Sequence, residues 1–168
     1  MKAAAKTLLA VYLLALLWLV LFKLSFSISA AIHQQARGFH PIPFAGASRS
    51  DVREMILNVV VFIPFGVLLS VNLKRATFWR KLASVFVFSL AVETIQFILA
   101  IGITDATDVI TNTLGGFLGL ALYDTAKKRI DDEKLDRFML ILGTILLIGC
   151  IAPIGFLFTH HVRFRSER

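Results

Sequence analysis

The sequence predicts an all-α fold, a polytopic transmembrane bundle of about five helices with an interfacial connection between the first and second. Three observations predict it. Of 168 residues, 57% are apolar and only 17% are charged, whereas about a quarter are charged in an ordinary soluble domain. Five apolar stretches recur along the chain, each approaching the roughly 20 residues that cross a hydrocarbon core of about 30 Å. These stretches occupy most of the chain, so residues 1–168 read as a single transmembrane domain.

The first span runs from about Thr7 to Leu24, with Lys2 and Lys6 before it and Trp18 and Lys23 placed to anchor its far end. A basic start and the small residues Ser27, Ser29 and Ala30 resemble a secretory signal. The apolar run, however, exceeds the roughly 7 to 15 residues of such a signal, which favours an uncleaved helix. A connection over about residues 25–54 follows, with Pro41, Pro43, Gly38 and Gly46, and ends in the polar stretch Ser48 to Glu54. Its Pro and Gly content argues for irregular structure. Phe39, Ile42 and Phe44 suggest that it lies on the membrane surface.

The second span covers about 55–73 and holds Asn58, Pro64 and Gly66. Pro64 predicts a kink, tolerated where a neighbouring helix satisfies the freed carbonyls. The short basic loop with Lys74, Arg75, Arg80 and Lys81 leads to the third span, about 82–101, which carries Glu93 and Gln96. Gly102 to Ala106 separate it from the fourth span, about 107–123, which carries Asp108, Asn112, Gly115, Gly116 and Gly119. The mixed-charge segment Asp124 to Arg137 reads as a solvated cap of paired charges before the fifth span, about 138–158. A basic tail from His160 to Arg168 closes the sequence.

The net charge is +7, but the cations sit in the connections rather than along one face with interleaved aromatics, which argues against nucleic-acid binding. Anionic headgroups and topogenic loops explain them better. Cys150 stands alone, so no intramolecular disulfide or thiolate metal cage is available. His33, His40, His160 and His161 share no ligand spacing and read as interfacial residues. No cofactor, metal or catalytic residue is expected from these patterns.

With the N-terminus cytoplasmic, 11 of the 18 basic residues fall on the inside, and the loop between the third and fourth spans carries none on the outside. The positive-inside rule therefore favours a multi-pass protein with its N-terminus cytoplasmic and its C-terminus external.

A second inference does not need the orientation. Successive spans alternate direction, so the start of the second, the end of the third and the start of the fourth share one leaflet. At 1.5 Å per residue, Gln96 and Glu93 lie about 8 and 12 Å below the end of the third span, and Asp108 and Asn112 within about 8 Å of the start of the fourth. Glu93 and Gln96 are spaced i, i+3, Asp108 and Asn112 i, i+4, and Asn58 sits about one turn into the second span. Three spans thus aim Asn58, Glu93, Gln96, Asp105, Asp108 and Asn112 at a common depth as a candidate ligand-binding cluster. A carboxylate in the bilayer is disfavoured by at least about 2.5 to 3.5 kcal/mol, so Glu93 should face the bundle or a wet cavity, and such a group is a functional candidate by default. A purely structural reading competes: interhelical hydrogen bonds worth about 0.6 kcal/mol each, and Asp105 and Asp108 as caps of the fourth helix. The Gly115 to Gly119 spacing allows close helix packing and leaves room for a second copy of the chain on that face.

The stretch His40-Pro41-Ile42-Pro43-Phe44, Asn58 followed by Phe62-Ile63-Pro64-Phe65-Gly66, Glu93-Thr94-Ile95-Gln96, and Asp105-Ala106-Thr107-Asp108 through Gly116 together resemble the VanZ-like family of bacterial membrane proteins. The motifs stand in family order over about residues 40–123. The resemblance implies that Asn58, Glu93, Gln96, Asp108 and Asn112 belong to the family's motif set. Many members carry an Arg before the first Asp; this chain has Gly102-Ile103-Thr104 there, so a cationic contact is not carried over. The family's name-giving member is associated with low-level resistance to teicoplanin-type glycopeptides, though a family name transfers no defined reaction.

The leading expectation is a non-enzymatic cell-envelope protein of the bacterial cytoplasmic membrane. It would use the cluster, in the outer leaflet, to bind a membrane lipid, a lipid-linked envelope precursor or an amphiphilic antibiotic. A second reading is an intramembrane hydrolase or transferase acting on a lipid headgroup with metal assistance from Glu93, Asp105 and Asp108, hard oxygen ligands suited to Mg²⁺ or Ca²⁺. Against it, no nucleophile with a base stands at that depth. A third is a proton-coupled transporter, for which an intramembrane acid is suggestive, although no inverted repeat is visible.

Overall fold

Apolar runs of this length satisfy their backbone only as helices when water is excluded, and the computed structural model is accordingly helical. It describes residues 2–21, 38–40, 49–99 and 103–148. Among these are five helices, α1 (Lys2–Leu21), α2 (Arg49–Asn72), α3 (Phe78–Leu99), α4 (Ala106–Lys127) and α5 (residues 132–148), and two short strands, β1 (Gly38–His40) and β2 (Ile103–Asp105). Three of the helices are long and apolar enough to cross a membrane, over Ala3–Leu21, Val52–Asn72 and Phe78–Leu99. Cys150, His33, the tail from His160 and most of the 25–54 connection lie outside the described residues.

The helices outrun the apolar stretches from which the sequence places them. α2 begins at Arg49 rather than near Met55, and α4 continues through Asp124 to Lys127. Hydropathy marks the part of a helix that sits in lipid, whereas Arg, Glu, Lys and Ala are helix formers that carry the coil onward into polar surroundings. α2 also runs through Pro64. Proline removes a donor and crowds the preceding turn. There the Val61 carbonyl accepts a 2.6 Å hydrogen bond from the Tyr12 hydroxyl of α1.

The β1–β2 pairing is parallel, with Gly38 opposite Ile103 and His40 opposite Asp105. One strand precedes α2 and the other leads directly into α4, so this pairing ties the entrances of both helices to one end of the bundle. This short sheet departs from the irregular connection read from the Pro and Gly content. α2 and α4 then run side by side in parallel register. A Cβ on Gly115 would lie 2.8 Å from the Cβ of Phe62, and one on Gly119 would lie 3.1 Å from the Val67 nitrogen. The glycines let the two backbones touch, and the close packing this allows is one of the attractions between helices in lipid. The Gly115 to Gly119 face packs against α2 of the same chain.

Tyr12, Leu16, Phe62, Phe65, Leu68, Val85, Val92 and Leu120 form the shared core of the first four helices. Phe65 packs against Phe62 and Phe88 with ring centroids 6.0 and 5.2 Å away. Large apolar side chains also face outward, Leu14 at 68% exposure, Ile98 at 66% and Ile145 at 60%. Such a surface is stable against acyl chains rather than water. The far end of the bundle is closed by charge. Asp136, buried, accepts a 2.7 Å hydrogen bond from the Tyr123 hydroxyl and pairs with Lys74, while Lys127 pairs with Asp132 at 3.0 Å. Lys81, read from sequence as a loop cation, instead lies buried in the first turns of α3 with Nζ 3.5 Å from the Ser70 hydroxyl.

Candidate functional site

The end of the bundle marked by β1 and β2 collects the acids and amides. Asp105 is the last residue of β2 and the N-cap of α4; its extended backbone (φ −123°, ψ 126°) lets Oδ1 accept the Thr107 N–H at 2.8 Å. The cap satisfies one of the donors that a helix start leaves open. It also directs Asp108, in the first turn, inward. There the Asn58 side-chain amide of α2 donates to Asp108 Oδ1 at 2.9 Å, a bond across 50 residues of sequence. From α3, Glu93 Oε2 accepts the backbone N–H of Asp105 at 3.4 Å. Asn58, Glu93, Asp105 and Asp108 thus form one linked layer drawn from three helices.

One turn deeper, the Asn112 amide donates to the Ser89 hydroxyl at 2.9 Å, and Thr111 turns its hydroxyl back to the carbonyls of Thr107 and Asp108 at 2.9 and 3.2 Å. Burial is graded. Glu93 is 2% exposed, Asp108 5% and Asn112 0%, while Asn58 and Asp105 are half-buried at the rim. Gln96 stands apart from this layer: its amide reaches the carbonyls of Val20 and Leu21 at the end of α1, at 2.9 and 3.4 Å. Through these bonds Gln96 docks α1 onto α3.

Ser89, Thr107 and Thr111 are polar members that reading the sequence for acids and amides passes over. The signal for Ser89 was present, since Ser89, Glu93 and Gln96 recur at i, i+4 and i+7 and mark one stripe of α3.

The chemistry of this layer is rich in acceptors. The side-chain oxygen Asn112 Oδ1 is enclosed without a hydrogen-bond partner, and the Glu93 and Asp108 carboxyl groups lie beside it. Enclosed acceptors are costly unless a donor reaches them. Among the described residues no group of three His, Cys, Asp or Glu side chains converges to hold a metal ion. The reason is visible locally: the Asp105 carboxylate is turned to its own helix start and Asp108 Oδ1 to Asn58.

Comparison with known proteins places these residues in context. The VanZ/LLP1 family model matches residues 9–127 of the chain, a stretch that contains every member of the cluster. The chain is 50% identical over 147 residues to "Protein VanZ" of Enterococcus faecium, an alignment covering 88% of this chain and 90% of that protein. No solved structure matches the chain.

Proposed function

The chain belongs to the VanZ/LLP1 family, and from that membership we propose a cell-envelope protein of the bacterial cytoplasmic membrane that binds an amphiphilic or lipid-linked ligand through the polar layer of α2, α3 and α4. The N-terminus lies in the cytoplasm, which puts the layer in the outer leaflet, where envelope precursors and glycopeptide antibiotics are met. Binding there supports resistance to glycopeptide-type antibiotics.

One observation carries this reading: two buried acids, Glu93 and Asp108, lie with the half-buried Asn58 and Asp105 at one end of the bundle. A fold that needed only helix contacts would be held by its glycines and core, and intramembrane acids are costly enough to mark function. The acceptor character of the layer selects a ligand that offers donors, such as amide, amine or hydroxyl groups, attached to an apolar part that stays in lipid.

Cells producing the chain with Glu93, Asp108 and Asn112 all replaced by Ala, at equal membrane abundance, are expected to lose the gain in teicoplanin tolerance entirely. The measurement is the minimal inhibitory concentration alongside quantified membrane protein. Full retention of tolerance by the triple variant would reject the proposal.

A further inference from the structure

At the end of the bundle opposite the acid and amide layer lies a cleft of about 820 Å³, bounded by the start of α1, the α2–α3 turn and the start of α5. Its walls combine two kinds of surface. Leu73, Val71 and Leu140 supply an apolar side, while Lys6, Arg75 and Arg80 are cations exposed along it.

The acids beside the cleft do not neutralise those three. Asp136 is taken by Lys74 and by the Tyr123 hydroxyl, and Asp132 by Lys127. Among the described residues Lys6, Arg75 and Arg80 form no ion pair, and Glu133 is the one lining acid with no cation of its own. The cleft therefore keeps an excess of positive charge beside an apolar wall. Trp79, 72% exposed next to Arg80, stands where an indole prefers the headgroup level of a bilayer.

We propose that this cleft is a binding site for one anionic phospholipid, its phosphate ester held by Lys6, Arg75 and Arg80 and the first part of its acyl chains laid on Leu73 and Leu140. The guanidinium groups offer paired N–H donors matched to phosphate oxygens, and the apolar wall favours a lipid over free phosphate. A scatter of topogenic cations would attract anionic lipid without stoichiometry. A cleft of about 820 Å³ localises one headgroup at a fixed place.

The test is native mass spectrometry of the full-length protein in detergent, titrated with phosphatidylglycerol and, separately, phosphatidylcholine. The unaltered protein should retain one phosphatidylglycerol in preference to phosphatidylcholine. K6Q/R75Q/R80Q should bind it at least about tenfold more weakly, given that each cation near an anionic lipid contributes roughly a fivefold effect. A matched triple change at the same end but outside the cleft, K128Q/R129Q/K134Q, should leave binding unchanged, and E133Q should tighten it. Millimolar inorganic phosphate should not displace the lipid. Retention of the preference by K6Q/R75Q/R80Q, equal loss in the control variant, slackened binding in E133Q, or displacement by inorganic phosphate would each overturn the proposal.

Discussion

Replacing Gly119 by Ala, a single added methyl group, is expected to force α2 and α4 apart and to lower the stability of the fold sharply. The added Cβ would press on the carbonyl of Ile63 and lie 3.1 Å from the Val67 nitrogen, so it meets backbone on α2 and no side chain can rotate away. The same holds at Gly115 against Val59, and at Gly66, whose Cβ would lie 3.0 Å from the Leu120 nitrogen. Relief requires the two helices to separate, which loosens the closest contact in the bundle and pulls Asn58 away from Asp108. Overpacking a core costs about 1–3 kcal/mol when side chains can yield. Here they cannot, and a loss above about 3 kcal/mol is a large share of a total stability of about 5–15 kcal/mol. Gly143→Ala is the control, since its Cβ would meet only Leu8 and Leu68 side chains at ordinary distances of 3.5 and 3.7 Å. The expected result is a low yield of monodisperse protein and a sharply lowered thermal midpoint for Gly119→Ala, with Gly143→Ala close to unaltered. Equal behaviour of the two would contradict the packing described above.

The second large effect is expected on function with little effect on the fold. Glu93→Gln keeps the volume of a fully enclosed side chain and an oxygen able to accept the Asp105 N–H, so the fold should hold. What it changes is one carboxyl oxygen, which becomes an amide N–H₂ donor. Leaving a ligand's donor without its buried acceptor costs about 1–3 kcal/mol, and each 1.4 kcal/mol is about tenfold in affinity. A ligand whose donor meets the carboxylate is then held about 10- to 100-fold more weakly, and teicoplanin tolerance should fall to the level of cells lacking the protein. Thermal unfolding of the purified variant in detergent should stay close to that of the unaltered chain. Unchanged tolerance would assign Glu93 a packing role instead.

Much of this architecture is legible in the sequence because two rules of thumb act at different scales. Hydropathy locates spans, and the alternation of spans forces the start of α2, the end of α3 and the start of α4 to one end. The 1.5 Å rise then sets the depth of each polar residue, which puts Asn58 and Asp108, 50 positions apart, at a common depth. The Asp105 cap was equally readable from a carboxylate standing just before a helix.

Other features had no signal in side-chain chemistry. Gln96 turns to the carbonyls of Val20 and Leu21, which are backbone groups of an otherwise apolar helix end. The β1–β2 pair is three residues on each side, too short for an alternating pattern to show. Lys81 looks like its neighbours Lys74, Arg75 and Arg80 until the helix turn points it at Ser70. The partner of the Gly115 to Gly119 face was ambiguous for a similar reason: the motif states that a helix comes close without saying from which chain.

Cysteine labelling tests the central claim, the proposal that the polar layer of α2, α3 and α4 faces the outer side of the membrane. In a Cys150→Ser background, single cysteines replace Asn58, Asp105 or Arg75, and intact cells are treated with a membrane-impermeant maleimide before or after permeabilisation. The account predicts that positions 58 and 105, both at the half-buried rim, are modified in intact cells and that position 75 is modified only after permeabilisation. Labelling of 58 and 105 from opposite faces, or of neither under conditions that modify 75, would contradict it.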